Sequence, residues 1–189
     1  GGRPSPRFPV PGMEVTWLGG TAFRLRGRDA AVATDPHTSS IKQRSARPKA
    51  DLVALSEPVA TVPYDDLVRP NKSGRSPFVA DGPGEYEVAG VYVHGIAEHN
   101  GTGEPATTLY TIDIDRLNVG AFSRLTEEPS DALLDEFGGI HVLLINVDGG
   151  ATALPPERII HLVNRIEPNI VVPYGPRGTK WLEVARELG

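Results

Sequence analysis

His141-Val-Leu-Leu-Ile-Asn-Val147, then Pro155-Pro-Glu-Arg-Ile-Ile-His-Leu-Val-Asn-Arg-Ile-Glu167, then Asn169-Ile-Val-Val-Pro173 is the passage that decides the fold. The first run is apolar almost without interruption, the pattern of a strand buried on both faces. In the second, Ile159, Ile160, Val163 and Ile166 recur at helical spacing behind a Pro-Pro start, which predicts an amphipathic helix over 155–167. The third run is again a short buried strand. Strand, helix and strand in that order predict a parallel sheet edge covered by a helix.

Outward from this unit the pattern changes. Towards the C-terminus, Thr179–Leu188 reads as a last helix. Towards the N-terminus, Ser130–Phe137 reads as a short helix, and everything before it as strands. Thr107–Ile114 and Leu117–Phe122 form a hairpin across Asp115-Arg116. Glu85–Val88 and Gly90–Ala97 form another around Ala89-Gly90. Phe78–Ala80 and Asp51–Leu55 are shorter apolar strands. Met13–Leu18, Thr21–Arg26 and Asp29–Thr34 make an antiparallel meander, with Met13, Val15 and Trp17 on one side. A meander followed by alternating strand and helix predicts an α/β domain of two packed sheets with helices outside.

Composition bounds the function. The 189 residues suit one domain with its own core. There is no cysteine, which excludes a disulfide scaffold, a thiolate zinc site and a cysteine nucleophile. Any metal site must use His, Asp or Glu. The 19 basic residues are outnumbered by 24 acidic ones, for a formal charge of −5, so no nucleic-acid partner is expected. The longest apolar stretch, Val142–Val147, falls far short of the roughly 20 residues of a membrane span, so no membrane partner is expected either. Residues 1–12 are rich in Gly, Pro and Arg and lack an apolar signal core. They read as a flexible leader or tag remnant, with a single domain over 13–189 and a cytoplasmic location as the expectation. Neither Gly149-Gly150 nor Gly82-Pro-Gly-Glu85 has the setting of a phosphate-binding glycine loop. The polar, basic segment Thr38–Lys49 reads as a solvated loop.

Several segments together resemble the metallo-β-lactamase superfamily, and more closely its small bacterial branch of presumed zinc-dependent hydrolases. They are Met13-Glu-Val-Thr-Trp-Leu-Gly-Gly-Thr-Ala-Phe23, Ala33-Thr-Asp-Pro36, Ala50-Asp-Leu-Val-Ala-Leu-Ser56, Gly82-Pro-Gly-Glu-Tyr-Glu-Val-Ala-Gly-Val91, Val142–Gly150 and Pro168–Pro173. The resemblance covers Met13 to about Gly189. It implies a four-layer αββα sandwich with a metal site at one edge of the two sheets.

The same resemblance implies that most metal ligands are missing. The family's His-x-His-x-Asp-His falls on Glu57, Val59, Thr61 and Val62. The bridging Asp falls on Arg124 and the final His on Gly175, and only His99 keeps a ligand. Zinc needs several N or O donors converging at about 2.0–2.2 Å. Valine offers none, and arginine places a permanent cation where a dication should sit. No cofactor is therefore expected, and the residues point away from catalysis.

The candidate pocket at that edge comprises Asp35, His37, Glu57, His99, Arg124 and Asp148. Glu57 and Arg124 are expected to form an ion pair across the former site. Asp35 reads equally as a partner of the site and as the turn residue of an Asp-Pro. His94, His141 and His161 read as ordinary surface or packing histidines. Three functions remain open. The first is a non-catalytic relative that binds a small anionic ligand or a partner. The second is a metal-dependent hydrolase with a rebuilt mononuclear zinc site on Asp35, Glu57 and His99. The third is an assembly protein whose apolar faces make a homo-oligomer.

Overall fold

The computed structural model describes residues 7–10, 12–36, 47–57, 64–72, 74–99, 105–148, 154–175, 184, 186 and 187. Strands β1 (Arg7–Val10), β2 (Met13–Gly19), β3 (Ala22–Arg26), β4 (Ala31–Thr34), β6 (Leu52–Ala54) and β8 (Phe78–Ala80) form the first sheet, in that spatial order. Strands β9 (Gly84–Val88), β10 (Val91–His99), β11 (Pro105–Ile114), β12 (Leu117–Phe122), β13 (Val142–Asn146) and β14 (Ile170–Tyr174) form the second, each beside its neighbour in sequence. A minor two-stranded sheet pairs β5 (Lys49–Ala50) with β7 (Arg69–Pro70).

Both sheets change character partway across. The first is antiparallel from β1 to β4 and parallel from β4 through β6 to β8. The second is antiparallel from β9 to β12 and parallel from β12 through β13 to β14. The hairpin turns follow the sequence signals. Asp115 and Arg116 both take positive φ, as do Ala89 and Gly90, the condition for two-residue turns that match strand twist.

Period-two alternation sets the layers. Val15, Phe23, Leu25, Val32 and Leu52 of the first sheet meet Val93, Tyr110, Ile112, Val119 and Leu144 of the second in the inter-sheet core. The outer face of the second sheet is covered by α2 (Asp131–Phe137) and α3 (Pro156–Ile166), whose Phe137, Ile159, Leu162 and Val163 pack on Leu109, Phe122, Leu143 and Ile145. Ser130 caps α2, its hydroxyl accepting from the Leu133 amide. The outer face of the first sheet carries a smaller cluster, Ala33, Val53 and Leu55 under Leu67 and Val68, around the four-residue helix α1 (Tyr64–Leu67). Two sheets with a helical face on one side and one short helix on the other are thus described, where four full layers are expected. No helix is long and apolar enough to cross a membrane among the described residues.

Three features depart from the sequence reading. A strand precedes Met13, the expected start of ordered structure: β1 pairs antiparallel with β2, Arg7 opposite Thr16 and Pro9 opposite Glu14. Pro9 is tolerated because β1 is an edge strand, where the missing N–H breaks no ladder. Strands β5 and β7 span two residues each, too short for any periodicity to register. Of the last expected helix, Val184 is helical and buried, and Arg186 and Glu187 are helical and exposed; its other residues lie outside those described.

Candidate functional site

The carboxyl ends of the parallel strands are where ligands bind in open α/β sheets, because backbone and loops diverge there. Here the ends of β4, β6, β10, β12, β13 and β14 meet at one edge, and polar residues terminate each apolar strand.

Asp35 ends β4 and is 2% exposed. Its Oδ1 accepts the Ser56 amide at 2.7 Å and the Ser56 hydroxyl at 2.9 Å, and its Oδ2 accepts the Ser123 hydroxyl at 2.5 Å. Ser56 ends the β6 segment and Ser123 follows β12, so the carboxylate joins the two sheets. Its φ is +42, a left-handed conformation in a residue that precedes proline, where extended backbone is strongly preferred. Such strain costs about 1–3 kcal/mol and persists only where the surroundings over-determine it. Here they do: the Asp35 amide donates to the Ala54 carbonyl at 2.9 Å while the side chain is fixed from both sheets.

Further bonds close the same seam. The Ser56 carbonyl accepts the Thr108 amide and the Thr107 hydroxyl. The Tyr110 hydroxyl, from the second sheet, reaches the carbonyls of Leu55, Ala80 and Gly82, at 2.9, 3.1 and 3.2 Å. Tyr174 ends β14 with its hydroxyl in hydrogen-bonding contact with Ser123 and near Asp35. Burial pushes the Tyr110 and Tyr174 phenols well above their usual range, so both stay neutral donors. Asn146 donates to the Ser123 carbonyl and accepts the Asp148 amide.

The rim of the edge is different. Arg124 Nη1 and Glu57 Oε1 form the expected ion pair, with both side chains about half exposed. His99 is exposed at the end of β10, after an irregularity in the ladder at Glu98/His99. Asp148 lies against Gly175: a Cβ added at Gly175 would fall 2.5 Å from the Asp148 Cβ. That is closer than real side chains approach, so a side chain at this position would force Asp148 or the backbone to shift. His37 lies outside the described residues, as do Val59, Thr61 and Val62. Among the described residues no three His, Asp or Glu are grouped to hold a metal ion. Asp35, Glu57 and His99 are therefore not gathered into one ligand set: Asp35 faces the seam, Glu57 faces Arg124.

Next to His99, Glu98 is 4% exposed. Its Oε1 accepts the Glu127 amide, and its Oε2 has no partner among the described residues. Burial pushes this carboxyl above the usual carboxylate range. The other histidines take structural places. His141 Nδ1 accepts the Asn118 amide, His161 Nδ1 meets Glu128, and His94 stands edge-on to Phe137.

Sequence reasoning singled out Asp35 and expected the Glu57–Arg124 pair, but passed over Ser56, Ser123, Tyr110 and Tyr174. The available signal was a hydroxyl at or just past the end of an apolar strand, seen three times over at Ser56, Ser123 and Tyr174.

The comparisons agree with this architecture. A family model described as a beta-lactamase superfamily domain matches residues 14–175. Among solved structures, a presumed Zn-dependent hydrolase of the metallo-beta-lactamase superfamily from Thermotoga maritima is 25% identical, with a TM-score of 0.71, over 89% of this chain and 78% of that one. A presumed metal-dependent hydrolase from Parabacteroides distasonis shares the fold at 14% identity and a TM-score of 0.75, over 97% and 93% of the two chains. The metallo-beta-lactamase fold protein YhfI from Bacillus subtilis does so at 11% identity and 0.61, over 93% and 92%. No curated protein matches the sequence. With the model matching most of its length on two six-stranded sheets whose polar strand ends meet at one edge, the chain belongs to the metallo-β-lactamase superfamily.

Proposed function

We propose that this chain keeps the metallo-β-lactamase fold, in its four-layer αββα form, as a non-catalytic cytoplasmic binding module whose site edge takes a small anionic ligand. The observation that carries this reading is Arg124. It stands at the position the family gives to a bridging carboxylate, and it is paired with Glu57. A guanidinium is protonated at any working pH and repels a dication. The remaining donors do not fit a di-zinc centre either. Asp35 is bonded to Ser56 and Ser123 within the seam, and Gly175 lies so close to Asp148 that a side chain there would force one of them to shift. Without a metal-bound hydroxide the fold has lost the family's usual nucleophile.

Anion binding follows from the same pair. An exposed salt bridge contributes only about 0–1 kcal/mol. A ligand carboxylate or phosphate can therefore displace Glu57 from Arg124 at little cost, gaining a two-pronged contact on the planar guanidinium.

The test is elemental analysis of the purified protein for Zn, Mn, Fe and Ni, before and after dialysis against excess zinc. Sub-stoichiometric metal is expected in both samples. A ligand arm runs in parallel: inorganic phosphate should raise the thermal midpoint by mass action, and Arg124→Gln should remove that rise. One equivalent of tightly held zinc that is lost on His99→Ala would overturn the reading in favour of a rebuilt mononuclear hydrolase.

A further inference from the structure

Charge is distributed unevenly along the chain. Residues 1–75 carry twelve Lys/Arg against seven Asp/Glu, while residues 76–189 carry seven against seventeen. The first part builds β1 to β7, and five of its described cations, Arg7, Arg24, Arg26, Lys49 and Arg69, lie along the outer face of the first sheet and the minor sheet beside it. Phe23 and Leu25 of β3 face the inter-sheet core, so Arg24 and Arg26 face outward by strand alternation. Arg24 pairs in register with Thr16, and Thr16 with Arg7 on the edge strand. This sets the two arginines in one row about 10 Å apart, two strand spacings. On the other side of Arg24 lies the minor sheet, where Lys49 and Arg69 are exposed and directly paired.

Among the described residues, little on this face offsets the charge. Glu14 reaches Arg7 only at 4.0 Å and accepts the Thr16 hydroxyl. Asp51 is taken by the Ala31 amide and the Asn71 side chain. Burial and the neighbouring Arg26 and Arg7 push the Arg24 guanidinium below its usual range, with Glu14 pulling the other way. Two of the cations are also fixed in place. Arg24 Nε donates to the Lys49 carbonyl at 2.8 Å, and Arg69 Nε to the Arg47 carbonyl at 3.2 Å. Among the described residues each guanidinium thus keeps its terminal nitrogens for an incoming oxyanion, with its orientation already set.

We propose that this outer face docks an extended acidic peptide segment of a partner protein along the line Arg7, Arg24, Arg26, Lys49 and Arg69. The cations of this line sit on four strands, β1, β3, β5 and β7, so it suits a chain that presents carboxylates at successive positions rather than one compact ion. The surroundings favour peptide over other polyanions. Among the described residues no aromatic side chain faces out along this row to stack a base, and Trp17 packs against the inter-sheet core. Among the described residues no large apolar side chain stands among the cations to enter a bilayer. The strongly acidic remainder of the molecule repels a long nucleic acid but not a segment of a few residues.

The experiment titrates the full chain with a fluorescein-labelled octaglutamate peptide, at about 20 mM and about 300 mM salt, which shortens the screening length several-fold. Anisotropy should report saturable binding that weakens steeply with salt. The double substitution Arg26→Glu with Arg69→Glu touches only exposed side chains. It should weaken binding about tenfold or more, with an unchanged thermal midpoint. Arg116→Glu, on the hairpin tip of the second sheet, should leave binding unchanged. Three results would overturn the proposal: no saturable binding at low salt, binding indifferent to the double substitution, or tighter binding of a decathymidylate or of phosphatidylserine vesicles than of the peptide. A fourth is salt-sensitive self-association in sedimentation that the double substitution abolishes, which would make the occupant a second copy of this chain.

Discussion

The seam and the rim of the site edge sit next to each other and are built on opposite principles. In the seam, Asp35, Ser56, Ser123, Tyr110 and Tyr174 are buried, and their bonds run both along each sheet edge and, from Asp35 to Ser123 and from Tyr110 to Leu55, between the sheets. At the rim, Glu57 and Arg124 are charged, about half exposed and, among the described residues, tied only to each other. A buried acceptor that loses its donors bears the whole desolvation cost, whereas an exposed charge that loses its partner is rehydrated. The seam should therefore hold the fold and the rim should be free to bind. Their unequal energies are the measurable form of that division.

The strongest way to break the comparison is Asp35→Ala. It strands the Ser56 amide and the Ser123 hydroxyl and removes the bonds that hold a left-handed residue in front of Pro36. A loss of about 3–5 kcal/mol is expected, the range for removing one partner of a buried charged network. Relief of backbone strain does not offset it, since alanine is no better suited to positive φ than aspartate. Urea unfolding followed by circular dichroism reads the change. A loss below about 1 kcal/mol would mean that the seam is not what secures this edge.

How far these regions were legible in the sequence follows from the same contrast. The strands were readable because alternation is local: Met13, Val15 and Phe23 declare their face within a few residues. Glu57 and Arg124 were readable because each occupies a family position with a charge that needs an opposite charge. The seam was not readable. Asp35 and Ser123 are 88 residues apart, and Asp35 and Ser56 are 21 apart. Their meeting depends on the register of two sheets and on how the sheets stack. A serine at a strand end looks the same whether it bonds a buried carboxylate or water. β1 was missed for a third reason: the Gly and Pro around it read as a leader, although Pro9 sits at a sheet edge where proline is tolerated. The basic face was hidden by arithmetic, since a net charge of −5 averages two halves of opposite sign.

A smaller effect is expected at Gly175, where the rim leans on the seam. Gly175→Ala forces a Cβ to within 2.5 Å of the Asp148 Cβ unless the backbone moves. Overpacking of this kind costs about 1–3 kcal/mol. The strand-end bond from the Val147 amide to the Tyr174 carbonyl should loosen with it, seen as faster amide hydrogen exchange at Val147. An unchanged midpoint with unchanged exchange would show that the edge has room, and that histidine at 175 is not sterically barred.

The smallest effect belongs to the rim pair, and it is the most informative. A double-mutant cycle with Glu57→Gln and Arg124→Gln should give a coupling energy under about 1 kcal/mol, despite the direct contact between the two groups. With both side chains about half exposed, water screens the attraction, and ordering two long side chains opposes it. The coupling should fall further as salt rises. A coupling of about 3 kcal/mol or more would place the pair energetically with the seam, as a buried bridge closing the edge. Arg124 would then not be available to a ligand, and Glu57 could not be displaced cheaply. A weak coupling together with a phosphate-induced stabilisation that Arg124→Gln removes would instead separate the two regions as argued: a seam that holds the sheets, and a rim whose cation can exchange one anion for another.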